Sequence, residues 1–248
     1  DIGCGICVVS TNITNPDSVR LKQVMKGIRN TVPVGFNWHK KFQVNISELI
    51  SLPHTKIVEA QFSKAEKQIG TLGGGNHFIE LQEDEDGYLH IMIHSGSRNL
   101  GASIAKYYND KSVEMNKRWR SDVPAKWDLA FIPLEEQLAK DYLMDMNYAI
   151  EFAFQNRLMM MNRVMDAVEN EFSKVSFGEV INKPHNFAAW EQFGTDSLFI
   201  HRKGATCANL GEIGMIPGSQ GSASYIVEGL GNSESFNSCS HGAGRLMS

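Results

Sequence analysis

The chain has 248 residues, a formal net charge of −4 and four cysteines. This length can bury a substantial core, and so few cysteines argue against a disulfide scaffold and favour reduced thiols in the cytoplasm. No apolar run approaches the roughly 20 residues that a membrane-spanning helix needs. The total charge gives no indication of nucleic-acid binding, although a local basic groove is compatible with it.

The predicted elements mix helices and strands without a regular alternation. Residues 1–9 are apolar and contain glycine, which predicts a buried strand and turn. Helices are predicted at residues 18–30, 47–52, 63–69, 101–115 and 133–172, and the last is the strongest. Strands are predicted at residues 78–81, 89–94, 198–200 and 225–227. This order favours the α+β class.

Three histidines lie beside glycine-rich or turn segments: His77, His94 and His185. Asp1 and Cys4 add a carboxylate and a thiol, and this donor set suits manganese, iron, cobalt or zinc. A single such histidine is more often a buried hydrogen-bonded residue, but the combination favours a metal site. A thiolate can bridge two cations, so a two-metal centre is open. None of the spacings is that of a zinc finger.

The CxxC spacing of Cys4 and Cys7 also fits a redox motif. We disfavour that interpretation because no helix is predicted to start at the motif, as it would in a thioredoxin-type unit.

Several loops have the composition of phosphate-binding segments. Residues 70–76 are glycine-rich, Ser95, Ser97 and Arg98 follow His94, and residues 217–225 are rich in hydroxyls. Glycine turns and serine caps are common, so each loop also has a purely structural interpretation. The first loop lacks the ending of a P-loop. Small residues surround His241, which leaves room for a nucleotide, and no lysine-nucleophile KxDG motif is present.

Together these segments resemble the RtcB family of GTP- and manganese-dependent RNA ligases. The resemblance covers essentially the whole chain and is closest to bacterial members. It is carried by DIGCG at residue 1, GTLGGGNHFIE, HSGSRNLG, the HN pair at His185, RKGA at Arg202, IPGSQGSASY and SCSHGAGRLMS. It implies a mixed fold with central sheets flanked by helices, unrelated to lysine-type nucleotidyltransferases. Residues 1–248 would form a single catalytic domain lacking an N-terminal segment and a C-terminal tail.

The resemblance also implies roles for individual residues. His241 would become guanylylated. Cys4 would bridge two manganese ions, one also bound by His94 and His185 and the other by Asp1 and His77. Arg98 would bind a substrate phosphate. The GTP site would include Asn76, near the phosphates and the second metal, together with Glu80, Ser219, Ser224, Ala243 and Gly244.

The implied reaction joins RNA ends bearing a 2′,3′-cyclic phosphate or 3′-phosphate to 5′-hydroxyl ends, through histidine–GMP and RNA-(3′)pp(5′)G. It would serve RNA repair or tRNA splicing in the cytoplasm, without a membrane and with an archease-type activator as a candidate partner. Two alternatives stay open: a dinuclear metal phosphodiesterase, which needs no covalent histidine, and an inactive RNA-binding homologue, which needs no intact ligand set.

Overall fold

The fold is centred on a four-stranded sheet with a long helix against one face. The computed structural model describes residues 1–219 and 221–242. The helices are Ser18–Thr31 (α1), Ile46–Leu49 (α2), Lys56–Glu59 (α3), Phe62–Gln68 (α4), Arg98–Trp119 (α5) and Gln137–Glu169 (α6). The strands are Gly5–Thr14 (β1), Phe78–Glu83 (β2), Tyr88–Ser95 (β3), Ile181–Pro184 (β4), Asn186–Phe193 (β5), Asp196–Lys203 (β6), Ala205–Cys207 (β7), Ile213–Ile216 (β8), Tyr225–Glu228 (β9) and Ser238–Ser240 (β10).

The main sheet has the strand order β2-β3-β1-β4, and each neighbouring pair is antiparallel. Three two-stranded ladders accompany it: β5 with β6, β7 with β10, and β8 with β9. Because neighbouring strands are antiparallel, no βαβ crossover is needed, and the predicted α+β class is confirmed.

Alternation along β1 places side chains on both faces of the sheet. Cys7 and Val9 pack in one core cluster with Met160 and Val164 of α6, and α1 contributes to the same cluster. Ile6 and its neighbours on the other face pack in a second cluster with Met215 of β8. Burying each large apolar side chain stabilises the fold by about 1.5–3 kcal/mol, so α6 and the sheet hold one another in place.

The predicted elements are present, with shifted bounds. α5 begins three residues earlier than predicted, because the preceding turn is held by the Ser97 amide donating to Asp1 Oδ1 at 3.0 Å. α6 begins and ends inside the predicted range of residues 133–172. The short α3 and the strands β4, β5, β7, β8 and β10 were not predicted, since their few residues show no clear period. None of the described helices is apolar enough over a sufficient length to cross a membrane.

Strand register brings the candidate ligands to one end of the main sheet. Gly5 pairs with Ser95 of β3 on one side and with Pro184 of β4 on the other. Cys4, His94 and His185 each adjoin one of these paired residues in sequence, so they lie at the same end of the sheet. Phe78 pairs with His94, which places the preceding residue, His77, at the same end.

Candidate metal centre and nucleotide loop

The five predicted metal ligands converge in two groups that share one thiol. Cys4, His94 and His185 form the first group, and Asp1, Cys4 and His77 form the second. Within each group the potential ligand atoms lie within 4.8 Å of one another. The resemblance to the RtcB family implies one cysteine common to two metal sites, and Cys4 is the residue that the two groups share.

The donor atoms face each other directly. Sγ of Cys4 lies 3.4 Å from Nε2 of His77 and 3.2 Å from Nε2 of His94. Nε2 of His94 lies 3.1 Å from Nε2 of His185, and Nε2 of His77 lies 2.9 Å from Oδ2 of Asp1. One nitrogen of each imidazole therefore points into a common space beside the sulfur.

The opposite ring nitrogens fix the tautomers of two histidines. Nδ1 of His77 lies 2.9 Å from the Leu72 carbonyl oxygen, and Nδ1 of His94 lies 3.0 Å from that of Asn76. A carbonyl can only accept, so each Nδ1 carries the proton and each neutral ring presents a bare Nε2 lone pair. These lone pairs face a sulfur and, at His77, a carboxylate oxygen. The residues present therefore fit a divalent cation. A bound cation would accept these lone pairs, which otherwise repel one another.

Burial keeps these imidazoles neutral, as metal ligands must be. It lowers the pKa of His77 to about 4, helped by the positive charge of Arg98. Burial likewise lowers the pKa of His94 to about 3 and that of His185 to about 2, with neighbouring histidines acting in the same direction. Burial raises the pKa of the Cys4 thiol to about 11, while the guanidinium of Arg157 opposes this increase. A bound cation would supply the charge that a thiolate here needs.

Two glycines allow the backbone to approach closely enough for these contacts. A β-carbon on Gly5 would lie 2.3 Å from the Lys183 carbonyl oxygen, so β1 and β4 can meet only without a side chain there. A β-carbon at Gly96 would overlap the Asp1 carboxylate. The glycines in DIGCG and HSGSR are therefore steric requirements of the ligand geometry.

Arg157 on α6 lies beneath the centre and is completely buried. Its Nη1 donates to the carbonyl oxygens of Gly3 at 2.7 Å and Ser95 at 3.0 Å, and its Nε donates to Oδ1 of Asn182 at 2.6 Å. These three acceptors lie on the segments that carry Cys4, His94 and His185. Sequence reasoning missed Arg157; the signal for it was a charged residue within the apolar pattern of α6.

The neighbouring Asn156 is also completely buried and holds the glycine-rich loop. Its Oδ1 accepts from the amides of Gly70 and Thr71, and its Nδ2 donates to the Gly96 carbonyl oxygen at 3.0 Å. Residues 70–76 and the turn before α5 are therefore joined through one side chain, which sequence reasoning also missed.

Arg98 lies against this loop, near the second ligand group. Its Nε donates to Oγ1 of Thr71 at 3.0 Å and its Nη2 to the Gly35 carbonyl oxygen at 2.7 Å. A β-carbon on Gly73 would lie 2.4 Å from Nη1 of Arg98 and 2.5 Å from Nδ1 of His77. The guanidinium is thus held beside His77, a candidate metal ligand, and its predicted contact with a substrate phosphate stays a prediction.

The two serines beside Arg98 do not fit the predicted phosphate-binding role. Ser95 and Ser97 are completely buried. Their hydroxyls donate to the carbonyl oxygens of Leu72 and Ile2. Both side chains therefore serve the backbone around the ligands, and a phosphate cannot reach them.

His241 follows β10 and lies beside the first ligand group. Its ring centroid is 4.7 Å from that of His185, with an interplanar angle of 69°. Gly204, at φ 67°, packs against it, and a β-carbon there would lie 3.0 Å from Cε1 of His241. A small residue therefore makes room for this imidazole, although Gly204 is distant in sequence from the glycines predicted to do so.

The predicted nucleotide-site residues are partly assembled. Glu80 and Ser224 are joined through Gln82, whose Nε2 donates to Oε2 of Glu80 at 2.6 Å and to Oγ of Ser224 at 3.1 Å. Ser219 is exposed in the turn between β8 and β9 and bonds with Ser222 at 2.9 Å. Asn76 is exposed at the end of the glycine-rich loop. Ala243 and Gly244 lie outside the described residues. Gln82 was not predicted.

The second cysteine of the CxxC spacing has a different environment from the first. Cys7 is completely buried in the apolar core under α6, where burial raises the pKa of its thiol to about 12. Both cysteines are free thiols. Only Cys4 lies among the histidines, which agrees with the metal-site interpretation of this segment.

Comparisons with known proteins identify the family of this chain. The family described as tRNA-splicing ligase RtcB matches residues 48–248. An RNA-splicing ligase RtcB of Escherichia coli (strain K12) is 35% identical over 275 residues, covering 100% of this chain and 66% of the relative. A tRNA-splicing ligase RtcB of Pyrobaculum aerophilum is 28% identical, with the same coverage of both chains. This chain thus spans just under two thirds of these relatives' length, and it belongs to the RtcB family.

Proposed function

We propose that this chain is an RNA ligase that joins 2′,3′-cyclic phosphate or 3′-phosphate ends to 5′-hydroxyl ends. The observation that carries the proposal is the position of His241, whose ring lies 4.7 Å from that of the metal-ligand candidate His185. A nucleophile beside a candidate two-metal centre suits nucleotidyl transfer. The names of the relatives support an RNA substrate.

The two groups of candidate ligands would bind two manganese ions. Cys4 would contact both ions, His94 and His185 the first, and Asp1 and His77 the second. When bound, the two cations would neutralise phosphate charge and orient the reacting groups. The mixture of sulfur, nitrogen and oxygen donors is compatible with manganese but does not by itself select it.

His241 would carry the nucleotide between GTP and RNA. A ring nitrogen of His241 attacks the α-phosphorus of GTP, an N–P bond forms, the bond to the bridging oxygen breaks, and pyrophosphate leaves. Glu80, Ser219 and Ser224 would bind the guanosine, with Asn76 near the phosphates and Ala243 and Gly244 lining the pocket. The Glu80 carboxylate can accept hydrogen bonds from guanine N1 and N2.

The RNA would then react in two transfers. A 2′,3′-cyclic phosphate is first opened by water to a 3′-monophosphate, held by Arg98. An oxygen of that phosphate attacks the histidine-bound phosphorus, which releases His241 and gives RNA-(3′)pp(5′)G. The 5′-hydroxyl of the second strand attacks the 3′-phosphorus, loses its proton, and displaces GMP as the phosphodiester forms. A cytoplasmic location and an archease-type activator stay predictions.

A sealing assay with manganese, GTP and two RNA strands tests this function. One strand ends in a 3′-phosphate and the other begins with a 5′-hydroxyl. We expect a joined product that disappears in His241→Ala and Cys4→Ser but persists in Cys7→Ser, the matched thiol control. Opening of a cyclic phosphate without GTP, unaffected by His241→Ala and never followed by joining, would instead support the phosphodiesterase.

A further inference from the structure

The loop of residues 34–42 presents aromatic and basic side chains beside Arg98. Phe36 is 104% exposed, as much as in an extended peptide, and Trp38 is 43% exposed. Lys40 and Lys41 follow them directly and are also solvent-accessible. Exposed apolar patches rimmed by polar residues are typical of interaction sites.

Hydrogen bonds attach this loop to the candidate site. The Gly35 amide donates to the Gly73 carbonyl oxygen at 2.8 Å, and a β-bridge joins Val34 to Gly73. Arg98 donates to the Gly35 carbonyl oxygen at 2.7 Å. Gly73 in turn packs against both Arg98 and His77. Phe36 is therefore the residue next to Gly35, whose carbonyl oxygen is bound to Arg98, the predicted phosphate-binding residue.

The sequence segment that contains this loop carries a positive charge, opposite in sign to that of the whole chain. Residues 18–47 contain six lysines and arginines and no aspartate or glutamate, although the net charge of the chain is −4. A further cation, Lys67 of α4, lies with its Nζ 5.1 Å from the centroid of the Phe42 ring. A local excess of positive charge beside exposed aromatic rings is complementary to a single-stranded nucleic acid.

The inner side of the loop is firmly held. Arg163 of α6 donates to the Gly70 carbonyl oxygen at 2.7 Å, to Oε1 of Gln43 at 2.7 Å, and contacts Nε2 of His39 at 2.8 Å. The His39 amide donates to the Lys67 carbonyl oxygen at 3.0 Å. The aromatic rings are therefore displayed on a backbone anchored at several points, which lowers the entropy that binding would cost.

We propose that Phe36, Trp38, Lys40 and Lys41 form a docking surface for the unpaired RNA strand whose phosphate end lies at Arg98. Bases stack on the two aromatic rings, and the lysines follow the phosphate backbone. The inference rests on the proposed function for the identity of the ligand. It adds a site of substrate recognition outside the metal centre and the nucleotide loop.

The test is fluorescence anisotropy with a labelled single-stranded RNA of about ten nucleotides ending in a 3′-phosphate, which spans a site of the size usual for such surfaces. The double variant Phe36→Ala/Trp38→Ala should bind at least about 30-fold more weakly, since each of the two lost stacking contacts contributes about 1–3 kcal/mol. Affinity for a blunt RNA duplex should not change, because its bases are already stacked.

Trp119→Ala is the matched control, since Trp119 is 39% exposed, close to the value for Trp38. It ends the 22-residue helix α5 that begins at Arg98, so it lies about 30 Å away along the axis. This control should bind RNA normally. The double variant Lys40→Ala/Lys41→Ala should reduce the salt dependence of binding, by about 0.7 in log–log slope per lost phosphate contact.

Transfer of GMP from GTP to His241 needs no RNA, so it separates the two proposals. Failure of both RNA binding and labelling in the wild-type protein would reject the proposed function. Normal labelling with equal RNA affinity in Phe36→Ala/Trp38→Ala and Trp119→Ala would reject the docking surface alone. A changed oligomeric state with unchanged RNA affinity would assign the surface to a second copy of the chain and overturn the inference.

Discussion

Replacing Arg157 with lysine keeps a positive charge under the metal centre but removes the planar fork of donors. Arg157 is completely buried and binds the Gly3 and Ser95 carbonyl oxygens and the Asn182 side chain. A lysine ammonium is a point charge on a flexible chain and cannot reach three acceptors on three segments. The substitution therefore tests the hydrogen-bond geometry of Arg157 while the positive charge is kept.

The magnitude follows from the acceptors left without a donor. Hydrogen bonds to a charged donor contribute about 1.5–3 kcal/mol each, and the ammonium retains at least one of the three, so one or two are lost. We expect Arg157→Lys to lower the free energy of unfolding by about 1.5–6 kcal/mol. Because the lost bonds hold the peptide groups beside Cys4 and His94, metal affinity should fall about 10–100-fold, as for other outer partners of metal ligands.

The assay combines urea denaturation of the metal-free protein with Co²⁺ titration. Thiolate-to-cobalt charge transfer gives a near-ultraviolet band that reports on Cys4. Arg163→Lys, on the same helix, is the control, since the recorded partners of Arg163 include no ligand-bearing strand. Its cobalt band and affinity should match the wild type. A folded Arg157→Lys protein with wild-type cobalt affinity would refute the reasoning.

Three further predictions follow from the site. Cys4→Ser should abolish the cobalt band. Cys7→Ser should keep the band and only lower stability, because Cys7 lies in the apolar core. A band retained in Cys4→Ser would contradict the shared-thiol centre. Gly204→Ala should reduce GMP labelling of His241, because the new β-carbon would lie 3.0 Å from Cε1 of His241. Gly194→Ala should label normally, since Gly194 has a similar positive φ but nothing within 4 Å of a β-carbon there. Equal labelling of the two variants would argue against an effect of the contact. Urea denaturation of the metal-free protein should show that the free energy of unfolding decreases as the pH is lowered from 7 to 5. The three candidate ligand histidines have folded pKa values of about 4, 3 and 2, below their ordinary 6.5, so the unfolded chain takes up protons first. Each contributes up to about 1.4 kcal/mol per pH unit as pH falls below 6.5, and a flat profile would contradict their neutral burial.

The candidate ligand residues could be singled out from the sequence because each lies in a short segment of unusual composition. Asp1 and Cys4 lie in a glycine-containing segment, and His77 and His94 adjoin glycine-rich turns. Their convergence, by contrast, depends on strand register, such as the pairing of Gly5 with both Ser95 and Pro184. Register is a long-range property that residue spacing does not encode.

The supporting residues were missed for a related reason. Asn156 and Arg157 lie within a helix whose apolar pattern predicts a core, and the acceptors they bind are backbone atoms with no sequence signature. The same applies to Gly204, which only the fold brings to His241. Of the two interpretations that the sequence left open for Ser95 and Ser97, the structure shows the structural one, because composition cannot distinguish a hydroxyl free for a ligand from one bound to a backbone carbonyl.

The central claim is that His241 carries GMP beside a two-metal centre. The most direct measurement is incubation of the manganese-loaded protein with α-³²P-GTP, followed by detection of label on the protein. We expect label that is labile in acid, stable in alkali, and absent from His241→Ala, as a phosphoramidate requires. Stable manganese binding without any label, or equal label in His241→Ala, would contradict the account.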